Sequence, residues 1–187
     1  MPKIDMAEYE AAEVSSTEEY RRMPAGGYVV RIQAVRTKDD DRGIDYVRDK
    51  QYVKLIYDVA EGEFAGKFSD DYWSGEDKDY AHQIYWSWKN LQSLKRSIMC
   101  FEESNPGFDA MAAFQADSWG MFVGKLLGIV VGEEEYMGND GNVKTRFGFP
   151  RIKSVQDIRD GRYRVPELKK LEGYEQPSTD NYDDVPF

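Results

Sequence analysis

The fold turns on MFVGKLLGIVVGEEEY (Met121–Tyr136), followed by the tetrapeptide Asn139-Asp140-Gly141-Asn142 and then VKTRFGFPRIKSV (Val143–Val155). Phe122, Leu126, Leu127, Ile129, Val130 and Val131 make the first segment read as one long strand. Asn-Asp-Gly-Asn is a hairpin signal, because Asn, Asp and Gly tolerate the positive φ angles a tight reversal demands. Val143–Val155 then returns as the last strand. Gly120, Gly124, Gly128 and Gly132 recur every four residues. Glycines inside a strand mark bulges or tight coiling, as in a small barrel.

Upstream, Pro24-Ala25-Gly26-Gly27 reads as a turn that launches a first strand, Tyr28–Thr37, with Tyr28, Val30, Ile32 and Ala34 alternating against Val29, Arg31, Gln33 and Val35. A charged loop, Lys38–Lys50, leads to a second strand, Gln51–Ala60. There Tyr52, Lys54, Ile56 and Asp58 face one way and Val53, Leu55, Tyr57 and Val59 the other. After the turn Glu61-Gly62-Glu63, Phe64–Trp73 reads as a third strand. The period then changes. Gln83–Phe101 carries Ile84, Trp88, Leu91, Leu94, Ile98 and Phe101 three or four apart, which predicts a helix against the core. Ser104-Asn105-Pro106-Gly107 ends it, and Phe108–Ala116 predicts a second short helix.

Three strands, a helical insertion and a two-stranded hairpin follow the strand plan of the five-stranded oligonucleotide-binding (OB-fold) barrel, in which helices lie between strands 3 and 4. The expected class is mainly β with that insertion, the rival being an open α+β sandwich. The expected organisation is an acidic N-terminal arm at 1–23, a barrel domain at 24–171 and a disordered acidic tail at 172–187.

The 187-residue chain has a formal net charge of −10 and 14% aromatic residues. No apolar run approaches the ~20 residues of a membrane-spanning helix, and there is no signal-peptide core, so the expectation is a cytoplasmic protein without a membrane partner. One Cys and one His exclude an internal disulfide and the usual zinc sets. No cofactor or metal is expected. The charge is unevenly spread. Residues 142–170 carry Lys144, Arg146, Arg151, Lys153, Arg159, Arg162, Arg164, Lys169 and Lys170 against Asp157, Asp160 and Glu167. The acids concentrate in the first 20 residues, at Asp39-Asp40-Asp41, between Asp70 and Asp79, and in the tail. Local potential, not the total, decides where a polyanion docks.

The tail carries Glu172, Glu175, Asp180, Asp183 and Asp184 with no Lys or Arg, and closes on Val185-Pro186-Phe187. It reads either as a frayed terminus or as a segment that docks its ring into a notch rimmed by bases. Asp183-Asp184-Val185-Pro186-Phe187 resembles the acidic tip of bacterial single-stranded DNA-binding proteins, which commonly ends Asp-Asp-(Ile/Leu)-Pro-Phe. The body is more similar to the phage- and mobile-element-encoded members, around Pro24–Tyr28 and Val59–Lys67. The resemblance implies a non-enzymatic protein that protects single-stranded DNA in replication, recombination and repair. It also implies a tip that recruits partner proteins and competes with DNA for the protein's own groove. Relatives often assemble as oligomers, so a second copy of the chain is among the expected partners.

Single strands are held by cations that track phosphates and by rings on which bases stack. On the last strand Lys144, Arg146, Phe147, Phe149, Arg151 and Lys153 interleave the two. Lys67, Tyr72 and Trp73 offer a second set, and Arg31, Lys54 and Tyr57 a third, although alternation separates Lys54 from Tyr57. Trp86 and Lys89 complete the candidates. Phe147 and Phe149 share a strand face and fit core equally well. Trp86 lies off the helix's apolar face and is open between the two roles, whereas Trp88 reads as core. Lys89 and Arg96 fit solvated charge. Asp39-Asp40-Asp41 lacks ligand spacing, and Asp70-Asp71 has no nucleophile beside it. An acidic protein-interaction module, or DNA mimic, and a carboxylate-dependent nuclease are the rival functions.

Overall fold

A computed structural model of the chain describes residues 23–37, 52–69, 82–87 and 90–171. Strands β1 (Gly26–Thr37), β2 (Tyr52–Val59) and β3 (Gln83–Ser87) form an antiparallel meander. Two helices follow, α1 (Leu91–Ser104) and α2 (Ala110–Gln115), then a 3-10 turn at Trp119–Phe122. Next come β4 (Leu126–Val131), β5 (Glu133–Met137), β6 (Val143–Phe147), β7 (Arg151–Lys153) and a short α3 (Val155–Arg159). β1 pairs with β2 on one side and β4 on the other, giving a five-stranded antiparallel sheet in the order β3-β2-β1-β4-β7. That sheet curls into a half-barrel, and β5-β6 forms a separate ribbon.

The third strand is not Phe64–Trp73. Its described residues form a turn at 63–66 and a helical turn at 67–69. Gly66 takes φ +81°, which a side chain would resist. The buried Asp58 carboxylate accepts from the backbone N–H groups of Val59 (2.7 Å), Phe68 (3.0 Å) and Ser69 (3.1 Å), and from the Ser69 hydroxyl. A carboxylate that satisfies the free donors at the start of a helical turn favours that turn over a strand. The strand role passes to Gln83–Ser87, which the sequence had placed in the helix. Ile84 and Trp86 alternate inward with Tyr85 outward, opposite Leu55, Val53 and Lys54. The helix starts only at Leu91, capped by Asn90, whose side chain accepts from Ser93 N at 3.0 Å. Leu91 is 70% exposed and lies off the core face.

Two bulges redirect the strands. Ile32 faces Tyr57 but Ala34 faces Ile56, so Gln33 is an extra residue in β1. Val35, not Ala34, then packs against the core, and Arg36 turns outward opposite Lys54. At the far end Val130 pairs with Arg151, whereas Glu133 pairs with Phe147. Residues 131–132 therefore oppose 148–150. The expected long strands break at Gly132 and at Gly148-Phe149-Pro150, and the ribbon leaves the sheet. The expected hairpin turn is present: Gly138 N donates to Asn142 O at 2.8 Å, and Lys144 pairs with Asp140 at 2.8 Å.

Inside the curl, Val30, Ile32, Leu55, Tyr57, Leu127 and Ile129 meet Leu94, Ile98 and Phe101 of α1. Phe122 plugs one end. Its ring meets those of Trp86 (5.4 Å), Phe101 (5.3 Å) and Phe108 (5.2 Å) edge-on and stacks on Trp119 (6.2 Å). Such pairs add about 0.5–1.5 kcal/mol each beyond the area they bury. Asn105 fixes the helical insertion to the sheet by donating to Leu126 O (2.8 Å) and accepting from Leu126 N (2.9 Å). Outside, Val29 and Val130 are buried where α3 packs on β1 and β4. This close approach needs Gly128, because an added Cβ would lie 2.5 Å from Ser154 O and 2.7 Å from the Ile158 side chain.

Phe122→Ala should lower unfolding free energy by about 3–5 kcal/mol, and Gly128→Ala by about 1–3 kcal/mol through overpacking. Urea unfolding of both variants checks this. A Gly128→Ala protein as stable as the parent would remove α3 from the packed body.

Candidate functional site

The outer edges of β3 and β7 do not pair with each other. Between them and α1 lies a cleft of about 410 Å³, lined by Gln83, Ile84, Tyr85 and Trp86 of β3, Ser93, Arg96 and Ser97 of α1, and Phe149, Pro150, Arg151 and Ile152. Each wall has a local cause. The bulge at 148–150 throws Phe149 out of the strand alternation, and Pro150 has no N–H to pull it back into a ladder. Phe149 is therefore 85% exposed while Phe147, two residues earlier, is in the core. Tyr85 faces out because Ile84 and Trp86 face in. It is 40% exposed, and its hydroxyl donates to Gln83 Oε1 at 3.1 Å.

The sequence candidates separate into groups. Tyr57 is fully buried and edge-on to Phe68 at 5.8 Å. Trp86 is 3% exposed and enclosed by Phe101, Phe114 and Phe122. With Phe147 in the core as well, none of these three offers a ring face for a base. Arg31 is exposed on β1, its Nη1 donating to Gly124 O at 3.4 Å. Lys54 is buried on the outer side of β2, its Nζ 5.9 Å over the Tyr85 ring. Register places Arg36, Lys54 and Tyr85 in one row across three strands. Lys67 is half-buried in the helical turn. Tyr72, Trp73, Trp88, Lys89, the acids at 39–41 and 70–71, the arm at 1–22 and the tip Asp183-Asp184-Val185-Pro186-Phe187 lie outside the described residues.

Much of the basic charge counted at 142–170 is neutralised locally. Lys144 pairs with Asp140, and Arg146 with Glu134 at 2.8 Å while also lying 5.2 Å over the Tyr136 ring. Arg159 pairs with Glu61, Arg162 with Asp157 and Asp160, and Arg164 with Glu167. The Asp140 carboxyl is held at about 2, chiefly by its hydrogen bond to Lys144. By contrast, Arg96, Arg151 and Lys153 form no ion pair among the described residues. Arg96 and Arg151 line the same cleft, and Arg96 and Lys153 both act on Cys100. Cys100, one turn beyond Arg96, senses that cluster: burial first, with Glu103 and Asp157, pushes its thiol up to about 11, against the opposing pull of Arg96 and Lys153. The sequence missed Tyr85 and Arg96 as site residues because it assigned both to one helix. Their joint presence in a segment without an acid was the available signal.

Among the described residues no group of His, Cys, Asp and Glu could hold a metal ion, and no helix is long and apolar enough to cross a membrane. No protein-family model matches the chain, and no curated protein is similar enough in sequence to count as a relative.

Because burial raises the Cys100 thiol from 9.0 to about 11 and the Tyr28 phenol from 10.0 to about 12, both stay protonated in the fold when the unfolded chain has begun to ionise. Stability should therefore be fully present below pH ~9 and fall between pH ~9 and ~12. Unfolding of wild type and Cys100→Ala across that window tests the assignment. The lower half of the fall should disappear in the variant.

Proposed function

We propose that the chain is a non-enzymatic single-stranded DNA-binding protein built on an oligonucleotide-binding barrel, and that the strand crosses the cleft between β3 and β7. What supports the barrel is connectivity: a β1-β2-β3 meander, helices between β3 and β4, and β1 shared by β2 and β4. One observation carries the functional reading. The exposed rings Tyr85 and Phe149 and the cations Arg96 and Arg151, neither in an ion pair among the described residues, line one seam, while much of the remaining basic charge is already paired. Rings with free cations beside them suit unpaired bases strung on phosphates, and they read little sequence. The protein would act in the cytoplasm of a bacterium, or of a host cell if phage-encoded. The acidic tip would recruit replication and recombination proteins and return to the seam when DNA leaves.

The ion pairing of Lys144, Arg146 and Arg159 is equally what an acidic interaction module or DNA mimic would carry. Fluorescence quenching by poly(dT) separates the two readings. Saturable quenching at low salt that weakens steeply as salt rises, with duplex bound far less, is the expected result. Phe149→Ala should weaken binding by ~5- to 150-fold, the equivalent of ~1–3 kcal/mol for one stacked base. Full-length protein held by basic partners and indifferent to poly(dT) would defeat the proposal. Truncation after Lys170 should tighten poly(dT) binding, since it deletes tethered anionic competitors, and abolish pull-down of replication proteins. Unchanged behaviour on both counts would remove the tail's role.

A further inference from the structure

We infer that the cleft is a discrete one-nucleotide pocket in which Arg96, a helix residue, and Arg151 clamp a phosphate while Phe149 and Tyr85 hold its base. The inference rests on the single-strand reading of the same site and adds a residue that strand-based recognition would not use. At about 410 Å³ the cleft is near the small end of ligand pockets, ~300–1,000 Å³. It has room for one nucleotide and not for a run of them. Its cations come from opposite walls, Arg96 from α1 and Arg151 from β7. Neither is tied to a carboxylate among the described residues, so both guanidinium forks are open to phosphate oxygens. Lys153, two residues along β7 from Arg151 and opposite Gly128 in register, adds a further cation on the same strand. Tyr85 and Phe149 are exposed beside the cleft, and the half-buried Ile152 gives it an apolar side. Two open guanidinium groups with exposed rings beside them suit a nucleotide better than a free anion or a peptide.

The site predicts that the phosphate is required. Thymidine 5′-monophosphate should bind the full chain, read by tryptophan fluorescence through Trp86 bordering the cleft, at least ~10-fold more tightly than thymidine. Arg96→Ala, an exposed helix position, should abolish that difference. It should also weaken poly(dT) ~10-fold and lower the salt slope by about one, as loss of one phosphate contact does. Arg96→Lys should restore the slope but only part of the affinity, because it keeps the charge and loses the fork. If Arg96→Ala binds poly(dT) with wild-type affinity and slope while Phe149→Ala is weakened, the pocket is wrong and the single-strand reading survives. If wild type binds neither probe, both are wrong.

Discussion

The Phe122 ring is the contact on which the rest of the structure depends. A five-stranded sheet that curls only halfway has an open end, and its inner face of Val, Ile and Leu cannot be sealed by strands alone. Phe122 fills that end, and it touches rings from each piece of the insertion: Phe101 of α1, Phe108 before α2, and Trp119 in its own turn. It also touches Trp86 of β3, the edge strand farthest from β4 in the sheet order. Edge-to-face rings are directional. The plug therefore sets the separation between β3 and α1, and so the width of the cleft between them. Trp86 belongs to both: its ring packs on Phe122, and the residue borders the cleft.

Charge is distributed by the same geometry. The ribbon, α3 and the segment after it carry Arg146, Arg159, Arg162 and Arg164, and each finds a carboxylate nearby: Glu134 across the ribbon, Glu61 from the β2 turn, Asp157 and Glu167. Exposed pairs of this kind contribute little stability. They do lower the field outside. The seam keeps its charge because its neighbours are Ser93, Ser97, Gln83 and Pro150, none of which can neutralise a guanidinium.

What could be read from the sequence was local. The hairpin turn at 139–142, the core face of α1 at Leu94, Ile98 and Phe101, the second short helix, and the alternation of β1 as far as Ile32 follow from short-range periodicity and turn chemistry. What escaped was set by partners distant in the chain. Asp58 turns residues 67–69 helical from about ten positions away, and with that cap unseen Phe64–Trp73 read as a strand. Ile84 fits a strand and the helical face equally, whereas Trp86, two residues on, fits only strand alternation, and the pairing with Leu55 and Val53 realises the strand. The bulge at Gln33 was invisible for the same reason, since a strand's extra residue is defined by the strand opposite, and Gly132 was marked only as one of four recurring glycines. Of the stacking residues expected from the sequence that the structure describes, Phe149 alone combines high exposure with a place at the seam. The sequence weighed it together with Phe147 because alternation puts them on one face.

The two-against-three count at residues 148–150 makes that stretch a parity element for the chain. Loss of Pro150 there would leave every later pairing intact in composition but restore simple alternation through the bend. Phe149 would then rotate toward the interior already occupied by Phe147. An insertion in the turn at 138–142 only lengthens a loop, whereas here the chain's arithmetic, odd or even, decides which way the aromatic ring faces.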